Sequence, residues 1–188
     1  MIIARDNYKQ EAELDPLTGL LNKKAIQSAC ISILKDNLKD ATYHALFIMD
    51  LDHFKEMNDT YGHQAGDDVL RRFAQDIRAI FRQSDYIGRF GGDEFTVFMP
   101  NVTNSTAIER HARQLMTAAQ ELEVRDDRSL LSVSIGIALA PLHGKTYDDL
   151  FLAADAALYD VKRMGRNNWK IYEKGTECGI LCKINNNK

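Results

Sequence analysis

The stretch Arg89-Phe90-Gly91-Gly92-Asp93-Glu94-Phe95 decides the fold that the sequence predicts. Segments rich in β-forming residues, at 86–90 and 95–99, flank the glycine pair. Because glycine accepts positive φ, the pair predicts a tight turn between two antiparallel strands. Two acids directly after the turn suggest a ligand-binding role, although an ordinary hairpin with polar flanks explains them about equally well.

Outside this hairpin, hydrophobic periodicity switches repeatedly between helix and strand. It predicts helices over residues 22–38, 69–81, 108–122 and 150–161, and strands over 43–51, 132–139 and 169–172. Thr146 and Asp149 match a capping box for the last helix, and Gly165 matches a stop after it. A hairpin inside this alternation favours an α+β, palm-like fold of the split βαβ, ferredoxin-like kind. Such a fold has a central, mostly antiparallel sheet flanked by helices.

The length of 188 residues and the net charge of −3 indicate one globular domain without a broad basic face. We expect that domain at residues 15–173, between an arm or the end of a signalling helix at 1–14 and a flexible tail at 174–188. No apolar run is long enough for a membrane span or a secretory signal. The three cysteines (Cys30, Cys178 and Cys182) fit a reducing compartment. We therefore expect a cytoplasmic protein with no DNA, RNA or membrane contact by this segment.

Asp50 and Asp52 end the strand predicted over residues 43–51. Residues two apart on a strand lie on the same face, about 6.6 Å apart along the chain. Carboxylate oxygens suit a hard cation such as Mg²⁺. Taken alone, a pair of solvated acids at a strand end is the more common explanation.

Two further pairs of residues carry recognisable chemistry. Asn58 and Asp67 offer the amide and carboxylate that read a guanine edge, although Asp67 also suits the first turn of a helix. Lys162 and Arg166, about 6 Å apart along a helix axis, suit phosphate, although cations are favourable at any helix C-terminus. Together with the acids, these are the parts of a nucleotidyl-transfer site, and their combination argues against purely structural roles.

On these residues the sequence resembles the GGDEF domains, the diguanylate cyclases. Gly91-Gly92-Asp93-Glu94-Phe95 is an intact copy of the motif that names the family. Further motifs match in the family's order at residues 15–22, 50–55, 58–63, 66–70, 134–137, 154–159 and 162–167. Lys23 is a departure, because family members usually carry arginine there, but it preserves the charge.

The resemblance implies a palm-like fold of the nucleotidyl-cyclase kind. It also implies an enzyme that condenses two GTP into cyclic di-GMP and two pyrophosphates. It implies two-metal-ion phosphoryl transfer with two Mg²⁺ per active site, which Mn²⁺ can replace, at the interface of a homodimer. The implied metal ligands are Asp50, Asp93 and the Leu51 backbone carbonyl. Glu94 and Lys55 complete the catalytic set, Glu94 as a structural or ligand-orienting acid and Lys55 as a phosphate contact. The implied GTP-binding residues are Asn58, Asp67, Phe54, Lys162, Arg166, Gly91 and Gly92.

The resemblance also implies a product-inhibition site. Arg82-Gln83-Ser84-Asp85 matches the family's RxxD motif at the expected offset before the hairpin, and Arg113 matches the second arginine. This implies feedback inhibition by cyclic di-GMP. The alternative is an ordinary surface Arg–Asp pair, which is common.

Two other functions stay open. One is a catalytically silent module that binds GTP or cyclic di-GMP for signalling, and the other is a different palm-type nucleotidyltransferase. Silent domains usually lack an acid of the motif or a metal ligand, whereas Asp50 and Asp93 are present here. An acid at position 67 favours guanine over adenine, whose N1 accepts rather than donates. An active cyclase is therefore the preferred prediction.

Overall fold

The computed structural model describes residues 13–37, 43–124, 127–128 and 131–173. Most of the expected N-terminal arm and all of the expected tail, with Cys178 and Cys182, lie outside these residues. The third cysteine, Cys30, is a free thiol buried in the core.

The described part of the chain forms eight strands and five helices. The strands are β1 (Leu21–Asn22), β2 (Tyr43–Asp52), β3 (Tyr86–Gly91), β4 (Glu94–Val102), β5 (Glu123–Val124), β6 (Asp127–Arg128), β7 (Ser132–Ala140) and β8 (Trp169–Ile171). The helices are α1 (Lys23–Asn37), α2 (Phe54–Tyr61), α3 (His63–Ile80), α4 (Ser105–Gln120) and α5 (Tyr147–Arg163). Among these helices, none combines the length and apolar character that crossing a membrane requires.

Six strands form one sheet in the order β1-β3-β4-β2-β7-β8, and β5 pairs separately with β6. Strand β2 is antiparallel to both β4 and β7, and β3 is antiparallel to β4. The edge pairs β1–β3 and β7–β8 are parallel. The predicted α+β fold with a mostly antiparallel central sheet is confirmed.

Strand β2 lies at the centre of the molecule, with helices covering both faces of the sheet. Phe47 packs on one face with Phe73 of α3. Leu46 packs on the other face with Ile26 of α1 and Leu158 of α5. Burying a side chain of this size stabilises the fold by about 1.5–3 kcal/mol, so the two layers hold β2 rigidly between them.

Helix α5 approaches β7 very closely at Gly136. A Cβ atom at this position would overlap the Ala154 carbonyl oxygen and the Leu158 backbone nitrogen. The small residues that alternate along β7, here Ser134, Gly136 and Ala138, face this helix. They let the helix backbone lie directly on the sheet.

The two ends of α5 explain one confirmed prediction and one that was wrong. At its start, Thr146 and Asp149 form the predicted capping box, with hydrogen bonds of 3.2 and 3.3 Å. At its end, Gly165 takes a φ of 112° and stops the helix after Arg163. Arg166 therefore lies beyond the helix, with a φ of 64°, and does not continue a helical row from Lys162 as predicted.

The glycine turn forms the predicted hairpin between β3 and β4. Gly91 and Gly92 have φ values of 144° and 55°, which are unfavourable for residues with a Cβ atom. Gly91 pairs with Glu94 across the turn. The strand after the turn is longer than predicted and continues to Val102.

We predict that Gly136→Ala destabilises the protein by about 2 kcal/mol or more, because overpacking typically costs about 1–3 kcal/mol and the clash here is with helix backbone. Chemical denaturation followed by circular dichroism measures the change. The control is Ala156→Ser, on the exposed side of α5, where we expect a change below about 0.5 kcal/mol. Equal stability of Gly136→Ala and the wild type would contradict the close contact.

Candidate active site

The end of β2 places acidic residues from two strands on one face of the sheet. Asp50 lies directly opposite Glu94 of β4 and Ser134 of β7 in the sheet register. Residues directly opposite each other in antiparallel pairs share a face. This row therefore faces α5, whose Lys162 reaches it.

Asp50 forms an ion pair with Lys162, with 2.7 Å between Oδ2 and Nζ. The Asp50 side chain is only 15% exposed. Burial raises the pKa of Asp50, Lys162 opposes that change, and the nearby carboxylates of Asp93 and Asp52 add to it. The Asp50 carboxyl group thus lies near other acidic groups and has one close cation, Lys162.

The hairpin supplies the other two acids of this face. The Leu51 amide donates to the Asp93 carbonyl at 3.3 Å and ties the turn to β2. Loss of solvent raises the pKa of Glu94, and the charges of Asp50 and Asp93 raise it further, against the effect of Lys162. Asp50, Asp93 and Glu94 therefore form an acidic group that Lys162 only partly neutralises.

This donor set fits Mg²⁺ carried by a phosphate substrate. Within the described residues, no three His, Cys, Asp or Glu side chains form a complete metal-binding group. Mg²⁺ in nucleotide sites commonly takes one or two carboxylates and completes its shell with water and phosphate oxygens. The carboxylates of Asp50 and Asp93 match that requirement, and their mutual repulsion favours a bound cation.

Arg89 holds the glycine turn in place, a role that the sequence reasoning did not assign. Its Nε and Nη2 atoms donate to the Gly92 carbonyl at 3.0 and 2.6 Å. Its Nη1 atom lies 3.1 Å from Asp15 Oδ1, and both side chains are mostly buried. Asp15 also accepts from the Thr18 amide and hydroxyl. The turn before Asp93 is therefore connected to the segment that precedes β1.

Asn58, Phe54 and Gly66 come together where α2 meets α3. The Asn58 Oδ1 atom is buried and has no hydrogen-bond partner among the described residues. A Cβ atom at Gly66 would overlap this oxygen and approach Phe54 to 3.1 Å. Asp67 is the next residue on α3 and is half-buried. An unpaired buried acceptor is costly, so Asn58 is suited to a ligand that donates a hydrogen bond.

Lys55 and the turn glycines are open to solvent. Lys55 lies on the exposed side of α2, and its side chain forms no hydrogen bond or ion pair with another described residue. Gly91 and Gly92 are also exposed. These positions remain accessible to a ligand, and their predicted roles stay predictions.

Asp67 lies in the second turn of α3, which begins at His63, and not in the first turn as the structural alternative assumed.

Asp52 has different partners from Asp50, although both side chains lie on the same face of β2. Its side chain is fully buried. Its oxygens accept from the hydroxyls of Ser134 and Ser132, at 2.7 Å each, and from the Asn167 amide at 3.0 Å. Arg166 Nε lies 4.0 Å away. The two acids therefore do not form a joint cation site, which the spacing alone allowed.

The predicted inhibitory residues occupy two places. Asp85 is buried and accepts from the Arg82 backbone amide at 3.1 Å and from Arg82 Nε at 2.8 Å. Arg82 is half-exposed and also donates to the Pro100 carbonyl. Arg113 is exposed and lines a groove of about 630 Å³ between α3 and α4. Burial of Asp85 distinguishes this pair from an ordinary surface ion pair.

Comparisons with known proteins agree on one family. The family model described as "Diguanylate cyclase, GGDEF domain" matches residues 12–168. Among curated relatives from Pseudomonas aeruginosa, the cyclic di-GMP phosphodiesterase NbdA is 34% identical over 91% of this chain and 22% of its own length. The diguanylate cyclase DgcP is 34% identical over 88% of this chain and 25% of its own length. The chain thus spans about a quarter of the length of these relatives.

One solved structure with a similar fold contains the coiled coil and GGDEF domain of DgcB from Caulobacter crescentus in complex with c-di-GMP. The TM-score is 0.82 at 29% identity, and the match covers 89% of this chain and 90% of that chain. With the family model matching most of the chain and this fold in common, the protein belongs to the GGDEF domain family, the family of the diguanylate cyclases.

Proposed function

We propose that this chain is an active diguanylate cyclase that condenses two GTP into cyclic di-GMP and two pyrophosphates. The observation that carries the proposal is the meeting of Asp50, Asp93 and Glu94 with Lys162 at the end of β2. Charge of this pattern suits a metal-bound triphosphate, with acids for the cation and a lysine for the phosphates. The diguanylate cyclase DgcP among the relatives supports the same activity.

The acidic group and its lysine divide the chemistry between them. In the proposed site, Asp50, Asp93 and the Leu51 carbonyl hold two Mg²⁺, or Mn²⁺ in its place. When bound, the metal lowers the pKa of the attacking 3′-hydroxyl and neutralises charge on the phosphates. Glu94 orients the ligands from its position opposite Asp50. Lys162 exchanges its contact with Asp50 for a phosphate oxygen when the nucleotide binds.

The remaining residues recognise and place the nucleotide. Asn58 and Asp67 accept hydrogen bonds from the guanine edge, which satisfies the unpaired Oδ1 atom of Asn58. Phe54 forms the wall beside them. The exposed turn of Gly91 and Gly92 lets the triphosphate approach the backbone, and Lys55 and Arg166 are its further cationic contacts.

Two copies of the domain are needed for each product. Each domain binds one GTP, and the 3′-oxygen of one nucleotide attacks the α-phosphorus of the other, which releases pyrophosphate. The 3′-oxygen of the second nucleotide then attacks the α-phosphorus of the first, which releases the second pyrophosphate and closes the ring. The proposed enzyme is therefore a homodimer during catalysis, and cyclic di-GMP feeds back through Arg82, Asp85 and Arg113.

Turnover measurements with GTP and Mg²⁺ at several protein concentrations test the proposal. We expect cyclic di-GMP, identified by mass, to form with a rate that rises faster than first order in protein. Bound GTP or cyclic di-GMP without product at any concentration would instead support the silent signalling module. The silent module is the second candidate because NbdA, which is similar over 91% of this chain, is named as a phosphodiesterase.

We predict that Asp93→Ala abolishes turnover while the fold survives, because one of the two proposed carboxylate ligands is lost. Product formation and thermal melting measure the two effects. Asp148→Ala is the matched control, since it removes an exposed acid in the first turn of α5. It should retain wild-type turnover. An active Asp93→Ala protein would refute the metal assignment.

We predict that Asp67→Ala weakens GTP binding about tenfold or more, because hydrogen bonds to a charged group contribute about 1.5–3 kcal/mol. Isothermal titration with GTP and with ATP measures the loss and its base dependence. Asp68→Ala is the matched control, because Asp68 is exposed and pairs only with Arg71 on the surface at 2.7 Å. Equal effects of the two variants would place guanine recognition elsewhere.

We predict that Arg82→Ala relieves inhibition by cyclic di-GMP without loss of maximal turnover. The arginine offers a planar guanidinium for bidentate contact with the product. Rates measured at increasing concentrations of added cyclic di-GMP give the inhibition constant. An unchanged constant would leave the Arg82–Asp85 pair with a structural role.

A further inference from the structure

The proposed chemistry leaves Asp52 without a role, although this carboxylate is fully buried. A buried carboxylate persists only where hydrogen-bond donors and positive charge compensate it. Here three donors approach it within hydrogen-bond distance, and the guanidinium of Arg166 lies 4.0 Å away. The cost of keeping such a group indicates a specific task at this position.

The contacts of Asp52 exclude a direct share in holding the metal. Oδ1 accepts from the Ser134 hydroxyl, and Oδ2 accepts from the Ser132 hydroxyl and the Asn167 amide. Both oxygens are therefore directed towards β7 and the turn after α5. The acidic group of Asp50, Asp93 and Glu94 has none of these partners.

The turn that Asp52 binds has an unusual backbone. Gly165, Arg166 and Asn167 have consecutive φ values of 112°, 64° and 46°. The left-handed region is unfavourable for residues with a Cβ atom, so Arg166 and Asn167 need external contacts to stay there. The Arg166 amide donates to the Val161 carbonyl at 3.1 Å, and the Asn167 amide donates to Asp52.

Arg166 is the residue whose direction this turn determines. Its side chain is half-exposed, and no hydrogen bond from its guanidinium to another described residue fixes it. Its nearest carboxylate is Asp52, at a distance too long for a hydrogen bond. The guanidinium is thus held by its attraction to Asp52 and by the backbone of the turn, and its donors remain available to a phosphate.

We infer that Asp52 is a positioning residue, which fixes the turn at residues 165–167 and thereby places Arg166 against the triphosphate of GTP. The inference rests on the proposed function, since it assigns Arg166 to the phosphates. Asp52 contacts neither the nucleotide nor the metal and acts through the Asn167 amide and Arg166. Its negative charge also attracts the half-exposed guanidinium.

A double-mutant cycle tests the inference. The probe is the GTP analogue with a methylene group between the α- and β-phosphorus, which binds with Mg²⁺ but does not turn over. Asp52→Asn keeps the size of the side chain but removes the charge and sets an amide group against existing donors. We expect it and Arg166→Ala each to weaken binding about tenfold. The double variant should bind within about twofold of Arg166→Ala, because coupled residues are not additive.

Two further variants complete the design. Asp148→Asn, which neutralises an exposed acid at the start of α5, should bind the analogue like the wild type. Ser134→Ala removes one donor from Asp52 and leaves the charge, so it replaces Asp52→Asn in the cycle if that protein does not fold. We expect it to weaken binding about threefold, and only where Arg166 is present. Amide hydrogen exchange at Asn167 should be faster in Asp52→Asn and in Ser134→Ala than in the wild type, and unchanged in Asp148→Asn.

The outcomes separate this inference from the proposed function. Failure of the wild type to bind the analogue would overturn both. Normal wild-type binding with independent, additive losses from Asp52→Asn and Arg166→Ala would overturn the positioning role alone. Unchanged binding by Asp52→Asn would also overturn it.

Discussion

The close contact of α5 with β7 at Gly136 governs the geometry of the site. Because no side chain separates helix and sheet there, the last turn of α5 reaches the end of β2. Lys162 then meets Asp50, and the turn that follows meets Asp52. Two acids on one strand thus acquire different partners and different environments, one facing the hairpin and one closed off within the protein.

Periodicity predicted the large elements because each has a long apolar stripe or a clear alternation. The hairpin followed from Gly91 and Gly92, whose positive φ values require glycine. Strands β1, β5 and β6 were not predicted, since two residues are too short to show any period. The glycine stop after α5 was predicted from Gly165, but the expected axial spacing of Lys162 and Arg166 was wrong, because the chain leaves the helix between them.

The candidate site was predictable only as far as motifs and resemblance reach. They named Asp50, Asp93, Asn58 and Lys162, and the structure adds the surroundings of these residues. The spacing along the strand did not distinguish Asp52 from Asp50, because the burial of Asp52 depends on partners 80, 82 and 115 positions away in sequence. Local patterns carry no information on contacts of that range.

The contacts of Arg89 join two parts of the chain that are 74 positions apart. One guanidinium binds Asp15, which precedes β1, and the Gly92 carbonyl immediately before Asp93. The peptide that carries a proposed metal ligand is therefore linked through one side chain to the backbone at residue 15. A displacement of that backbone has a path to the turn through this guanidinium, outside the hydrophobic core.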